Sequence, residues 1–103
     1  MMARVWSAQA THDKAPAYVD HVKSHVLPTL SKVDGYAGCM LLERPSRDTV
    51  EITVLTFWKS LDAIRGFAGT DLEEAVVADE AAALLTQFDR RVRHYEVAVR
   101  DEV

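Results

Sequence analysis

Apolar and polar positions in the first third of the chain predict a strand followed by a helix. Residues 3–10 form a mixed run that ends at a polar break, Thr11 to Asp13, and this pattern predicts a first strand. Apolar residues then recur at steps of three and four, the spacing of one helical face, at Ala15, Val19, Val22, Val26 and Leu30. We expect Asp13 or Thr11 to cap this helix. Pro28 has no amide hydrogen and is expected to end or bend the helix near Leu27.

The middle of the chain predicts a hairpin. Residues 36–43 and 49–58 are apolar runs of strand length. The connector between them, residues 44–48, holds a proline, a serine and an aspartate, which are typical of turns. The two strands are therefore expected to pair antiparallel.

Residues 60–88 predict a broken helical segment, and residues 91–100 predict a final strand. Ser60 offers a side-chain oxygen to the first free amides of a helix, and Gly69 is expected to end that helix. A second helix is expected to start at Asp71, because an acid three residues later completes a pattern similar to a capping box.

The predicted order β-α-β-β-α-β is that of the ferredoxin-like α+β sandwich, a four-stranded antiparallel sheet with helices on one face. With 103 residues, the chain fits one such domain, and we assign residues 1–103 to it. The third strand carries large apolar side chains on both faces, Val54 and Trp58 on one, Leu55 and Phe57 on the other. Helices cover only one face, so we expect a second copy of the chain to cover the other in a two-fold dimer with eight strands around a shared core.

Charge and composition exclude several classes of partner. Twelve basic and sixteen acidic residues give a net charge of −4, which is not the basic field that nucleic acids or anionic membranes select. No run approaches the roughly 18 apolar residues of a membrane span, and residues 1–10 lack the apolar core of a secretion signal. A single cysteine, Cys39, can form neither a disulfide within the chain nor a multi-thiolate metal site. We therefore expect a cytoplasmic protein with a buried, reduced thiol.

Histidine and tryptophan residues are candidates for chemistry. His21 and His25 have an i, i+4 spacing that can hold a metal ion, but such a pair more often borders an apolar face, and His25 is also a candidate pocket residue. His94 lies among apolar neighbours in the last strand, where it serves either as a general base or as a hydrogen-bonded core histidine. Trp6 and Trp58 either wall a pocket or fill core volume.

Several segments together carry a family resemblance. They are Phe57-Trp58-Lys59-Ser60-Leu61-Asp62-Ala63-Ile64-Arg65-Gly66-Phe67, Pro28 late in the first helix, Gly35-Tyr36-x-Gly38 at the second strand and the closing His94-Tyr95-Glu96-Val97. In these segments the chain resembles the antibiotic biosynthesis monooxygenase domain family of dimeric α/β barrels. The resemblance implies a ferredoxin-like protomer, a sheet-to-sheet homodimer and a pocket between sheet and helices.

Relatives within that family suggest two chemistries. Trp58 matches a tryptophan that haem-degrading relatives carry at the strand-to-helix junction, but Phe67-Ala68-Gly69 stands where they place a histidine, and residues 3–10 lack their asparagine. Quinone-forming relatives oxidise phenolic substrates without a cofactor. An enzyme similar to them needs a pocket with aromatic walls and a polar group that binds or deprotonates the substrate.

We therefore predict a monooxygenase that uses neither cofactor nor metal and acts on a small aromatic or phenolic molecule. The expected catalytic residues are His94, as the base, and Trp58. The residues expected to bind the substrate are Trp6, Tyr18, His25 and Arg4, the last of which stabilises negative charge. The alternatives are a dimer that binds a small ligand without catalysis, and an isomerase, lyase or haem-degrading enzyme on the same scaffold.

Overall fold

A computed structural model describes all 103 residues and confirms the α+β sandwich. The strands are β1 (Met2–Thr11), β2 (Tyr36–Pro45), β3 (Thr49–Trp58), β4 (Gln87–Phe88) and β5 (Arg93–Glu96). The antiparallel sheet has the order β2-β3-β1-β4, and β5 pairs with the other end of β1, so β4 and β5 share the fourth position. The helical elements are α1 (Ala15–His21), a π-helical turn (Val22–Val26), α2 (Leu27–Leu30), α3 (Leu61–Ala68) and α4 (Asp79–Ala82).

The core lies on the helical side of the sheet. In the β1–β3 ladder, Ala8 pairs with Ile52 and Ala10 with Val50, and all four side chains are buried. The small alanines leave room for α1, whose buried Tyr18 joins the same cluster. A second buried cluster consists of Leu30, Trp58 and Ile64. The two clusters fix the first helix and α3 on one face of the sheet.

The first helix was expected to end or bend near Leu27, and it does not end there, because its elements follow one another without a break from Ala15 to Leu30. Pro28 lies in the first turn of α2, where a missing amide hydrogen is tolerated. In the turn before it, the Leu27 amide donates to the carbonyl of Val22, five residues back, which is the π-helical pattern. The helix therefore accommodates the proline by changing its hydrogen bonding.

The start of this helix also differs from the expectation. Neither Thr11 nor Asp13 is its cap, because the capping position is Lys14, whose side chain makes no capping hydrogen bond. Pro16 lies in the first turn and has no amide hydrogen, so one of the donors that a cap serves is already missing.

The hairpin and α3 follow the sequence pattern. Strands β2 and β3 pair antiparallel as predicted. The Ala63 amide donates to Ser60 Oγ at 3.2 Å, which confirms the predicted cap, and Gly69 ends the helix with a φ of 83°. Gly35, before β2, has a φ of 85°, and a Cβ there would collide with the Cβ of Ala63. Glycine at this position lets the chain pass close to α3.

The prediction of a helix that starts at Asp71 is wrong, because residues 71–78 run beside the loop that precedes β5. The Val92 amide donates to the carbonyl of Glu73 at 2.8 Å. Arg91 forms ion pairs with both Asp71 and Glu73. The Asp71 carboxylate is thus engaged by an arginine from the end of the chain, and helical structure is confined to α4.

The last expected strand is also shorter than predicted. Instead of spanning 91–100, it consists of the two short pieces β4 and β5, which lie on either side of the loop that 71–78 contacts. Residues 87–88, expected to be helical, belong to β4 because they pair with Ala8 and Gln9 of β1. None of the helices combines the length and the apolar character that crossing a membrane requires.

The face of the sheet without helices is largely apolar. Met40, Leu42 and Tyr95 expose 56%, 49% and 51% of their surface, and Leu55 and Phe57 are half-buried on the same face. Exposed apolar side chains grouped on one face are typical of an interaction surface. The apolar second face expected from the third strand is therefore present.

Candidate active site

A cavity of about 330 Å³ lies between the sheet and the helices. Side chains of β1, β3, the first helix, α3 and residues 76–81 line it. Of its 18 lining residues, 12 are hydrophobic, which favours a ligand with a largely apolar body. The polar and aromatic lining residues are Arg4, Trp6, Tyr18, His21, His25, Thr29, Thr56, Phe67 and Glu80.

Two aromatic residues form one wall of the cavity. Trp6 comes from β1 and Tyr18 from α1, with their ring centroids 6.1 Å apart. The indole nitrogen of Trp6 donates to the Asp89 carbonyl at 2.8 Å, which fixes the orientation of the ring. Burial raises the pKa of Tyr18, and nearby Cys39 raises it further, so the phenol stays protonated and offers an O–H donor. This wall can stack on a flat ligand and hydrogen bond to it.

Arg4 is a buried cation at the cavity wall, with 4% of its surface exposed. Its guanidinium donates to the carbonyls of Leu72 and Glu74 and to Nε2 of His94 at 3.0 Å, which uses three of its five N–H groups. No carboxylate forms an ion pair with it. Burial lowers the pKa of Arg4, but arginine stays charged at neutral pH. The cavity therefore contains a positive charge that no side chain of the protein neutralises.

His94 lies opposite Arg4 on the neighbouring strand β5 and does not line the cavity. Arginine can only donate, so His94 Nε2 accepts and the ring proton is on Nδ1. Burial, and then the charge of Arg4, lower the pKa of His94 and keep the ring neutral. The role of general base stays a prediction, and it requires His94 to release Arg4 first, because the Nε2 lone pair is already engaged.

Trp58 is fully buried behind the cavity and is not among the lining residues. Its indole nitrogen donates to Thr56 Oγ1 at 2.9 Å, and its ring stacks on Phe67 with centroids 5.7 Å apart. Both Thr56 and Phe67 line the cavity. Trp58 can therefore influence a ligand in the cavity only through its contacts with Thr56 and Phe67. A catalytic role for Trp58 stays a prediction.

His21 and His25 line the cavity from the first helix, and His25 is exposed. Their ring centroids are 5.2 Å apart, which reflects the i, i+4 spacing across the start of the π-helical turn. No group of three or more metal-binding side chains occurs in the structure. The two imidazoles therefore belong to the wall and the rim of the cavity.

Several residues that line the cavity were not predicted from the sequence. Among them are Thr56, Phe67 and residues 76–78. Thr56 lies two residues from Val54 and two from Trp58 on β3, and therefore on the same inward face, so the period of the strand contained a signal for it. Residues 76–78 gave no such signal, because contacts with the end of the chain determine their path.

Because the pKa of His94 is lowered in the folded protein, we predict that the stability of the protein depends on pH. The folded-state pKa of His94 lies below its ordinary value of 6.5, so the unfolded chain takes up the proton first. Its contribution to stability is complete above about pH 7 and is lost as the pH falls through 6.5 towards the folded-state pKa. We expect the melting temperature of the wild type to fall between about pH 7 and pH 5, and that of His94→Gln to fall less. Equal slopes in calorimetry would contradict this.

Fold and cavity together define a ferredoxin-like α+β domain with a space of small-molecule size under its helices. The family model described as antibiotic biosynthesis monooxygenase matches residues 1–79, and the chain belongs to this family. This confirms the resemblance carried by the Trp58 segment. No curated protein is significantly similar in sequence.

Solved structures of similar fold include enzymes with different chemistries. A putative antibiotic biosynthesis monooxygenase from Bacillus cereus is 14% identical with a TM-score of 0.69, over 99% of this chain and 97% of that one. MhuD, a haem-degrading enzyme of Mycobacterium tuberculosis solved with two haems in its active site, is 18% identical with a TM-score of 0.63, over 99% and 100%. SnoaB, a cofactor-independent oxygenase from Streptomyces nogalater, is 16% identical with a TM-score of 0.59, over 96% and 95%. At these identities the likeness shows the fold.

Proposed function

We propose that this protein is a cofactor-independent monooxygenase that binds a small phenolic or otherwise acidic aromatic molecule in the cavity and oxidises it with molecular oxygen. The observation that carries the proposal is the buried charge of Arg4 in a mostly apolar, aromatic-walled cavity. A phenolate supplies both the flat apolar body and the negative oxygen that this combination of groups binds best.

The proposed reaction begins with loss of the phenolic proton. Arg4 stabilises the resulting oxyanion, which lowers the pKa of the bound phenol. His25, which lines the cavity, accepts the proton, or His94 does so after releasing Arg4. The phenolate transfers one electron to O2, giving a phenoxyl radical and superoxide. Their combination forms a C–O bond at the ring carbon para to the oxygen, and the resulting peroxide anion takes the proton back from the histidine. The hydroperoxide then loses water, made of its outer O–H and the hydrogen of that ring carbon, to leave a quinone. One oxygen atom of O2 enters the product and the other enters water, so no external reductant is needed.

Two side chains keep the substrate in place during these steps. Trp6, fixed by its bond to the Asp89 carbonyl, holds the ring and excludes water from the oxyanion. The Tyr18 O–H donates a hydrogen bond to a second oxygen of the substrate, where the substrate has one. The fold that this chain shares with SnoaB is consistent with such chemistry.

Haem degradation fits the cavity less well. Phe67, with Ala68 and Gly69 after it, occupies the part of α3 where haem-degrading relatives are expected to carry a histidine ligand. The imidazoles that line the cavity, His21 and His25, lie on the first helix instead.

We further propose that the protein works as a homodimer in the cytoplasm. The apolar face that contains Met40, Leu42 and Tyr95 supports sheet-to-sheet pairing, which should bury about 2,000 Å² or more. The free, half-buried thiol of Cys39 is consistent with a reducing compartment.

Oxygen consumption tests the proposed activity. Chelator-treated protein is expected to take up O2 with members of a panel that includes 1-naphthol and anthrone, and to release the corresponding quinones. Methyl ethers of the same phenols serve as controls, because they cannot ionise. Binding of the phenols without oxygen uptake would instead favour a ligand-binding protein, and conversion without oxygen uptake would favour an isomerase or lyase.

A further inference from the structure

All the groups that hold Arg4 are uncharged. They are two backbone carbonyls, the neutral ring of His94, whose Nε2 lies 3.0 Å from the guanidinium, and the ring of Phe67, whose centroid lies 5.7 Å from the guanidinium carbon. Buried arginines are usually paired with a carboxylate, which cancels most of their charge. Here the positions that a carboxylate normally takes are occupied by acceptors without charge. Arg4 is thereby fixed in direction while its full charge stays available.

His94 is the only side chain that accepts a hydrogen bond from Arg4, and its place follows from the sheet. The β1–β5 ladder puts His94 directly opposite Arg4, on the helical face. A glutamate at this position would reach the same guanidinium and neutralise it. The identity of residue 94 therefore decides whether the charge of the Arg4 guanidinium at the cavity wall stays unpaired.

The charged groups around the pair leave this conclusion intact. On the neighbouring 71–78 segment, Glu73 is the acid that influences His94, and its carboxylate is already paired with Arg91. Glu74 offers Arg4 its backbone carbonyl. Glu80 also lines the cavity, but its side chain is exposed to solvent. None of these three acids forms an ion pair with Arg4.

We infer that His94 is a specificity-determining and positioning residue: as a neutral acceptor it orients Arg4 without cancelling its charge, and so makes the cavity selective for ligands with an anionic oxygen. The inference rests on the proposed function for the role of Arg4. It assigns His94 a task that differs from proton abstraction. The two N–H groups that Arg4 does not use within the chain are the donors available to the anion.

Three substitutions of His94 separate this role from the alternatives. His94→Gln keeps an uncharged acceptor of similar reach, His94→Glu keeps an acceptor but adds a negative charge, and His94→Leu removes the acceptor. His12→Gln, at an exposed turn, is the matched control. The probes are 2-hydroxy-1,4-naphthoquinone, an anion between about pH 5 and pH 8, and its neutral 2-methoxy ether. Dissociation constants are measured by titration near pH 7, with circular dichroism to verify folding.

We expect wild type, His12→Gln and His94→Gln to bind the anion with similar affinity. His94→Leu should weaken it about tenfold, because the guanidinium loses its orientation, and His94→Glu should weaken it more. Affinity for the neutral ether should change little in any variant. If His94→Glu does not fold, the affinities of His94→Gln and His94→Leu for the anion still show whether an uncharged acceptor at position 94 is needed.

Four other outcomes decide between the inference and its alternatives. Equal affinity for the anion in all three variants would assign His94 to packing alone. Turnover that survives in His94→Glu but is lost in His94→Gln would assign it to proton transfer. A wild type that does not prefer the anion overturns both this inference and the role of Arg4 in the proposed function. A wild type that prefers the anion but consumes no oxygen overturns the oxygenase proposal and supports the inference.

Discussion

Replacement of Arg4 by glutamine is expected to lower kcat/KM for a phenolic substrate by about a hundredfold or more. The oxyanion that precedes electron transfer lies in a largely apolar cavity, where the interaction between opposite charges is stronger than in water. Loss of the Arg4 charge therefore destabilises the oxyanion strongly. Arg4→Lys keeps a charge but cannot form the three-way contact to Leu72, Glu74 and His94, so it should retain part of the activity. Steady-state oxygen uptake at saturating and limiting substrate separates the effect on kcat from that on KM.

The same substitution has a structural cost that must be measured separately. Arg4 connects β1 to residues 72–74, and glutamine cannot make all of its bonds, so the free energy of unfolding should fall by about 1–3 kcal/mol. The assay temperature is therefore set below the melting transition of the variant. Arg65→Gln on α3 is the matched control, because Arg65 is exposed and pairs only with Asp62. Wild-type kcat/KM in folded Arg4→Gln would contradict the role of Arg4.

Substitution of Leu55 by aspartate is expected to dissociate the dimer or to unfold it. Leu55 lies on the helix-free face between Val5 and Met40 on the neighbouring strands. In a sheet-to-sheet dimer, the new carboxylate would be buried without a partner, at a cost of several kcal/mol. Phe57→Asp should act in the same way. Sedimentation at micromolar concentration should give the wild type twice the 11.5 kDa chain mass and these variants less.

A matched control distinguishes the interface from a general effect of charge. Lys23 is exposed on the helical side, and Lys23→Asp should leave the dimer intact. A wild type that sediments as an 11.5 kDa particle would show that the apolar face is not a self-association surface under these conditions.

Local and periodic signals in the sequence were sufficient for most of the fold. Alternation predicted β1 to β3 within two residues of their ends, and short-range chemistry predicted the Ser60 cap and the Gly69 stop of α3. These features depend on residues close together in the chain, which is why a single sequence reveals them. The resemblance carried by residues 57–67 led to the family that the comparison then confirmed.

Long-range contacts explain what the sequence did not reveal. Asp71 has the pattern of a helix start, but Arg91, twenty residues away, engages its carboxylate. The Arg4 site has the same origin, since its acceptors at residues 72, 74 and 94 come together only when the sheet forms. Arg4, Trp6, Tyr18 and His25 were predicted to meet a ligand and do line one cavity, whereas His94 and Trp58 lie behind it. Their roles stay predictions until activity is measured.

Incorporation of labelled oxygen tests the central claim most directly. Chelator-treated wild-type protein is incubated with ¹⁸O2 and the phenol that gives the fastest oxygen uptake, and the quinone is analysed by mass spectrometry. The account predicts one O2 consumed per quinone formed, with one ¹⁸O atom in the product, the other in water, and little product from Arg4→Gln. Product that carries no ¹⁸O, or activity that chelation abolishes, would contradict it.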